Sequence, residues 1–405
     1  MDWLTIIYFI MFFFGIYFLF IFLIIYSKYR KQLYDYPTPS RFPFVSFLIP
    51  AYNEEDSIEN AINAILKVSY PQNKKEVIVI NDGSKDNTRK IVEWLMRKNH
   101  QIRLINKENS GKADSLNQGI KKARGELIAV TDADSYPSRD ALKKMIGYFE
   151  DENVGAVTSR VLVKNKKNFL EKFQGIDYAV IAWGRKILDY VNSVYVTNGP
   201  LSLYRGKLLR QFGFDPKNVT EDIEVTWHIL SEGYKTRMSY SAEVYTSTPT
   251  KLKKWINQRV RWNLGGLQTI YKYRRFVFRT NNLFGYFVVP YVSLAFFLAL
   301  VGFFLFSRFL LKKIYFYALS VPLIFRGYNI FRYVSFNFGL TFLLVLGMIF
   351  FSLALIYYKL ALKDYENKKI INILIYALIY RPLYILPLLI SIYKLFRGDI
   401  RWYTK

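Results

Sequence analysis

The apolar residues of this chain fall into two regimes. At 3–26, 284–306, 333–362 and 370–396 they form long, nearly continuous runs. At a rise of about 1.5 Å per residue, each is long enough to cross a hydrocarbon layer of about 30 Å. The third run carries Ser335 and Asn337 near its start, and the fourth carries Arg381 and two prolines. A shorter run at 314–325 reads either as a further crossing or as none. Between 26 and 284 no stretch is long and apolar enough to span, so a water-facing domain of moderate size is framed by membrane helices.

Inside that domain the apolar period switches back and forth. "FVSFLIPAY" reads as a buried strand, and "EEDSIENAINAILK" repeats its apolar residues at helical spacing. Strand "EVIVIND" precedes helix "NTRKIVEWLMRK", strand "IRLINKE" precedes helix "ADSLNQGIKKA", and strand "ELIAVTDADS" precedes helix "RDALKKMIGYFE". "VGAVTSRVLV" is a fifth strand. The alternation predicts an α/β fold, a doubly wound and mostly parallel sheet. In such sheets ligands bind beyond the carboxyl ends of the strands.

Composition narrows the partners. The 405 residues hold 57 Lys+Arg against 31 Asp+Glu, a net charge of +26. The basic residues gather at the edges of the apolar runs or scatter through ordinary segments. That favours membrane lipids or an anionic substrate and argues against nucleic acid. The absence of Cys excludes disulfides and thiolate chemistry, and two His residues argue against a histidine-rich zinc site. Asp2 precedes the first run while Lys28, Arg30 and Lys31 follow it. These flanks argue against a cleaved leader and place residue 28 onward in the cytoplasm.

The predicted strand ends are consistently polar. Strand one ends in Ala51, Tyr52, Asn53 and Glu54, strand two in Asn81, Asp82 and Gly83, and strand four in Asp132, Ala133 and Asp134. Carboxylates two apart at a strand end can hold a hard divalent cation, which neutralises a diphosphate leaving group. Asp82 can accept from a nucleobase imide, and Lys112, opening a helix after Gly111, can reach a phosphate. Each residue also has a plain reading. Asp-x-Asp alone is a weak metal signal, and acids near Glu54 and Asp86 read equally as helix caps. What lifts the set is that the groups fall at one end of successive strands.

"PAYNEE", "INDGSKDNT", "NSGKADSLNQGI" and "TDADS" resemble the donor half of the family-2 glycosyltransferases, which use a GT-A fold. "NVTEDIEVTWHILSEGYK" resembles that family's acceptor-side segment, and "INQRVRW" its Q-x-x-R-W box, found in processive membrane members that make cellulose, chitin, hyaluronan and poly-N-acetylglucosamine. "TEDIEVTW" followed by "QRVRWNLGG" looks closest to the bacterial poly-N-acetylglucosamine synthases. The resemblance covers roughly residues 44–270. It implies donor-binding roles for Ala51, Tyr52, Glu54 and Asp82 at the uridine, and for Lys112 and Asp132 at the ribose and diphosphate. It implies Mg2+ or Mn2+ on Asp134 and Asp222 as the general base. Asn198, Gly199, Glu221, Gln258, Arg261 and Trp262 would meet the acceptor or the departing diphosphate.

On this reading the chain divides into an N-terminal membrane helix (1–27), a cytoplasmic GT-A domain (28–250), interfacial helices with the box (251–283), C-terminal membrane helices (284–396) and a cytoplasmic tail (397–405). Such a protein is a multi-pass enzyme of the cell membrane. It moves sugar from a UDP-sugar to a growing polysaccharide, or alternatively adds one sugar to a lipid acceptor. Lys251, Lys253, Lys254 and Arg259 are expected at lipid headgroups, and Trp255 is expected to anchor the box helix at the surface. Thr220 is expected to cap the helix that follows it. A cytoplasmic tail requires an even number of crossings after 284, so 314–330 must cross as well or one clear run must fail to. Arg381 inside an apolar run is expected to be paired, or to mark a break at Pro382.

Overall fold

The computed structural model describes residues 3–279, 282–326, 338–366 and 368–398. Helix α1 (Trp3–Tyr29) leads into strand β1 (Val45–Ala51), helix α2 (Ile58–Leu66) and strand β2 (Lys75–Asp82). Then come α3 (Thr88–Lys98), β3 (Ile102–Lys107), α4 (Lys112–Lys122), β4 (Leu127–Val130), β5 (Ser135–Pro137), the short α5 (Lys143–Ile146) and β6 (Val154–Val163). Helix α6 (Phe169–Asp189) is followed by β7 (Ser202–Arg205), α7 (Gly206–Phe212), α8 (Glu221–Ser231), β8 (Lys235–Thr246) and α9 (Leu252–Tyr273). The chain closes with α10 (Val289–Phe325), α11 (Phe338–Ala361), α12 (Ile370–Ile375) and α13 (Ile385–Arg397).

Among the described residues eight strands form one sheet, in the order β3-β2-β1-β4-β7-β6-β8-β5. β3, β2, β1 and β4 are parallel neighbours, as the alternating pattern predicts. The fifth predicted strand, β6, does not extend that series. β7 lies between β4 and β6 and runs antiparallel to both, and β6 pairs in parallel with β8. The sheet is therefore mixed. Helix "RDALKKMIGYFE" is shorter than expected, with α5 passing into a 3-10 turn at Gly147–Glu150.

Strand pleating sorts the core. Phe47 and Ile49 pack with Ile58, Ile62, Val92 and Met145 on one face. Leu48, between them in sequence, packs with Leu116, Ile120, Val225 and Ile229 on the other. Burying each such side chain stabilises the fold by about 1.5–3 kcal/mol. Helices cover both faces, and Asp82, Asp132 and Asp134 lie at the carboxyl ends of β2 and β4. A third cluster joins Trp183 of α6 and Trp255 of α9 to Phe22, Leu362, Tyr376 and Tyr380 of the apolar helices. This cluster ties the sheet domain to the membrane-type helices. Helix α6 starts from a capping box, in which Asn168 and Glu171 each bond the other's backbone N–H.

Among the described residues, four helices are long and apolar enough to cross a membrane: Trp3–Gln32, Phe284–Pro322, Phe342–Ala361 and Ile370–Arg397. They keep large apolar side chains such as Phe13, Phe297, Phe304 and Met348 on their outer faces, as a lipid solvent permits. The run at 314–325 is the continuation of α10. At 37 residues that helix is about 56 Å long, well beyond one hydrocarbon thickness. Arg381 marks the expected break, where a π turn at Tyr376–Tyr380 passes into a 3-10 turn at Arg381–Tyr384. Its Nη1 lies 3.5 Å from Asp177 Oδ1, so it is also paired. Residues 399–405 of the expected tail lie outside the described residues.

Candidate active site

The loops after β1 and β2 are locked together. Asn53 holds a left-handed backbone (φ 54) and links to the β2 loop twice. Its N–H donates to Ser84 Oγ at 3.1 Å, and its Oδ1 accepts from Lys85 N at 2.9 Å. Asp86, two residues before the first residue of α3, accepts from Thr88 N at 3.0 Å, while the N-cap residue Asn87 makes no side-chain capping bond. Glu54 Oε2 accepts from Ser57 Oγ at 2.8 Å. Ala51 is buried at the end of β1, and Tyr52 beside it is partly exposed.

Asp82 organises the neighbouring loop. Its Oδ1 accepts from Lys107 Nζ at 2.5 Å and Ser110 N at 3.0 Å, and its Oδ2 accepts from Gly111 N at 2.9 Å. These bonds hold Gly111 at φ 98, a conformation that favours glycine, and so set the direction in which α4 starts. Lys112, the first residue of that helix, is thereby aimed across the carboxyl end of the sheet.

There Lys112 bridges two carboxylates. Its Nζ lies 2.6 Å from Asp132 Oδ1 at the end of β4 and 2.7 Å from Glu221 Oε1 at the start of α8. Burial pulls the ammonium toward neutrality, but the charges of Asp132, Glu221 and Asp222 outweigh it and raise its pKa. Asp134 follows two residues after Asp132, its Oδ1 accepting from Ser135 Oγ at 3.5 Å. A β-carbon on Gly199 would stand 2.8 Å from Asp132 Oδ2 and 2.9 Å from Lys112 Nζ, so only glycine fits there without displacing the pair. Asn198, next to it, accepts on Oδ1 from Thr158 Oγ1 and from Arg185 Nη1, both at 2.5 Å.

Asp222 stands one residue beyond Glu221. Loss of solvation, then the Glu221 charge, push its carboxyl up to about 6, against the opposing pull of Lys112 and Arg261. That is a suitable value for a base working near neutral pH. Thr220 occupies the N-cap position, but its hydroxyl donates to Asn218 Oδ1 at 3.2 Å and does not cap the helix.

Helix α9 lies along α8. Asn218 Nδ2 donates to Thr269 Oγ1 at 2.9 Å, and Lys272 Nζ sits 2.6 Å from Glu224 Oε1. Gln258, Arg261 and Trp262 are partly buried on it, whereas Lys251, Lys253 and Lys254 are exposed as expected of headgroup contacts. Arg259 and Trp255 depart from expectation. Arg259 is 1% exposed and paired with Asp177 at 3.3 Å, while Trp255 is wholly buried and donates to Tyr380 Oη at 2.9 Å. Both point inward because residues 255, 259 and 262 recur at helical spacing on the face turned toward α6 and the last apolar helix.

Strand-end reasoning points to Lys112 and Asp132 and the family resemblance to Glu221 and Asp222, and the fold gathers the four into one cluster. Sequence reasoning missed Lys107, which braces Asp82, and Arg185, which braces Asn198. It also missed Asp177, which accepts from Arg259, Tyr376 and Tyr384. The helical spacing of Trp255, Arg259 and Trp262 was the available signal for a buried Arg259.

The carboxyl end of this mixed sheet thus presents an acidic pair, a partly buried lysine and an opposed carboxylate. Residues 46–213 match the model of glycosyl transferase family 2, so the chain carries a domain of that family. It is 35% identical over 229 residues to poly-beta-1,6-N-acetyl-D-glucosamine synthase of Staphylococcus aureus (strain MSSA476), covering 56% of this chain and 55% of the relative. It is 34% identical over 230 residues to the synthase of that name from Staphylococcus epidermidis, with 56% and 55% covered. The chain therefore spans about half the length of the curated relatives it matches. A mannosyltransferase from Pyrobaculum calidifontis, in complex with GDP-Man and Mn2+, shares the fold with a TM-score of 0.58 at 21% identity, over 94% of this chain and 98% of that one.

Proposed function

We propose that the chain is a multi-pass membrane glycosyltransferase whose catalytic domain faces the cytoplasm. It transfers N-acetylglucosamine from a UDP-sugar, with inversion, to the end of a growing polysaccharide, which it passes outward. The observation that carries this reading is the Lys112 bridge. One ammonium touches both Asp132, on the donor side, and Glu221, beside Asp222. A reacting sugar seated there lies between a phosphate-binding cation and a base.

Ala51, Tyr52 and Glu54 line the uridine pocket. Asp82 already accepts three bonds from the β3–α4 segment beside it. A carboxylate has about four lone-pair positions, so one remains on Oδ2 for an imide N–H. Asp222 takes the proton of the acceptor hydroxyl as its oxygen bonds to the anomeric carbon. The bond from that carbon to the diphosphate oxygen breaks, and its electron pair leaves with UDP. Lys112 and Arg261 hold the departing charge, while Asn198, Gly199, Gln258 and Trp262 orient the acceptor.

Among the described residues no group of three or more His, Cys, Asp or Glu could hold a metal ion. Asp132 and Asp134 nonetheless suit Mg2+ or Mn2+, because such ions take one or two carboxylates and complete their shell with substrate phosphates and water. A bound ion would supply charge neutralisation of the diphosphate.

One observation favours a second reading, single-sugar transfer to a phosphate-headed lipid. A cavity of about 290 Å³ between α1, α6, α10 and α11 is lined by Phe22, Tyr291 and Tyr357 and by Arg185 and Arg381. Purified protein in lipid, offered UDP-N-acetylglucosamine and other UDP-sugars, decides by product mass. A ladder of sugar additions is expected. A single adduct on lipid would establish the second reading, and no UDP release with any donor would overturn both.

A further inference from the structure

We propose that Asp177 is a positioning residue that couples the break in the last apolar helix to the acceptor box on α9. The inference rests on the glycosyl-transfer reading, and concerns a carboxylate that reading leaves without a role.

Asp177 lies in the middle of α6 and is fully buried. A buried carboxylate is costly unless every oxygen is paired. Here Oδ1 accepts from Tyr376 Oη at 2.9 Å and faces Arg381 Nη1 at 3.5 Å, while Oδ2 accepts from Tyr384 Oη and from Arg259 Nη2, the latter at 3.3 Å. Tyr376, Arg381 and Tyr384 all belong to the π and 3-10 turns that interrupt the helix. Arg259 belongs to α9. One carboxylate thus joins three elements far apart in sequence.

The connection continues to the box. The Arg259 guanidinium donates through Nε to Tyr384 Oη at 2.8 Å and through Nη1 to Gln258 Oε1 at 2.9 Å. Its Cζ lies 3.9 Å from the ring centre of Trp262. Gln258 and Trp262, the acceptor-side residues of the proposed function, are therefore both held by Arg259, which is oriented in turn by Asp177 and Tyr384. A planar fork held on several sides fixes the indole more tightly than a flexible ammonium could. Any shift of the helix break moves Tyr384 and Arg381, and reaches the indole through this chain of contacts.

Asp177→Asn and Tyr384→Phe separate positioning from bulk stability, since both keep the side-chain volume. In full-length protein in lipid, UDP release without acceptor is compared with polymer formed per UDP released. Both variants are expected to keep UDP release within about threefold of wild type, while polymer per UDP falls at least about tenfold and the products shorten. Arg259→Lys, which keeps the charge but loses the fork, is expected to give the same ratio. A parallel loss of UDP release and polymer, or an unchanged ratio, in folded variants overturns the proposal. Where Asp177→Asn is not recovered folded, Tyr384→Phe decides by the same ratio. Absence of UDP release in the wild type instead condemns the glycosyl-transfer reading, so the two failures are told apart.

Discussion

Gly265 of α9 stands so close to Thr220 that a β-carbon on it would fall 1.8 Å from the threonine hydroxyl oxygen. Thr220 is the residue before Glu221 and Asp222, so this contact sets how near the box helix comes to the proposed base. Gly265→Ala must push the two helices apart or turn Thr220 aside. Overpacking of this kind costs about 1–3 kcal/mol. The variant is expected to melt several degrees lower and to lose at least about tenfold in turnover. Thermal unfolding alongside UDP release checks it, and wild-type values for both would show that the contact relaxes freely.

Asp222→Asn keeps the side-chain shape but cannot take a proton. Turnover is expected to fall at least about a hundredfold while UDP-sugar binding is nearly unchanged. Isothermal titration of the donor, paired with initial rates, separates the two. Turnover within threefold of wild type would remove Asp222 from the role of base.

The acid limb of activity follows from the same carboxyl. With its pKa raised to about 6, the base is ionised above that pH and protonated below it. Turnover at saturating donor should therefore fall as pH drops through about 6. Lys112 and Arg261 oppose the rise, so Lys112→Met removes one stabilising charge and should move the limb to higher pH, besides weakening donor binding. A limb that stays in place in Lys112→Met would show that another group sets it.

These sites were legible to different degrees. The lower half of the sheet could be read because strands and helices alternate from β1 to β4, and because the carboxyl-end rule then picks out Asp82, Asp132 and Asp134. The β4–β7–β6 arrangement could not be read that way. β7 is only four residues long, and its antiparallel insertion depends on how the chain returns after α6. Thr220 sits where a cap belongs, yet Asn218 competes for its hydroxyl. The Asp177–Arg259 pair spans 82 positions, beyond the reach of local periodicity, although helical spacing alone turns Arg259 away from lipid. The sequence offers Lys112 as a candidate phosphate ligand, whereas its contact with Glu221 appears only once α4 and α8 are brought to the same sheet edge.

Asp134→Ala is expected to abolish activity together with any response to added Mg2+ or Mn2+, because Asp132 is already engaged by Lys112 at 2.6 Å and is a poor sole ligand. Titrating the metal against UDP release tests this, with direct Mn2+ binding in the presence of UDP as a readout independent of turnover. A variant that works at the wild-type metal concentration would sink the assignment.

Trp262 separates the acceptor box from a plain membrane anchor. One face of its indole is covered by the Arg259 guanidinium at 3.9 Å, and the Tyr178 ring lies 6.4 Å away. A sugar that stacks on Trp262 must therefore use the opposite face. The helix does not depend on this residue for attachment, since Trp255 is buried against Tyr380 and Tyr384. Trp262→Phe keeps an aromatic plane of smaller area, and Trp262→Ala removes it. Both variants are expected to be produced and inserted normally. Polymer yield should fall in the order wild type, Phe, Ala, with Ala losing it almost entirely while UDP-sugar hydrolysis continues slowly. The proposed donor residues and metal carboxylates belong to the strand ends and to α4, so hydrolysis should not follow the same order. Equal loss of polymer and UDP release in Trp262→Ala would indicate a structural defect of the helix, and unchanged polymer would make Trp262 an anchor.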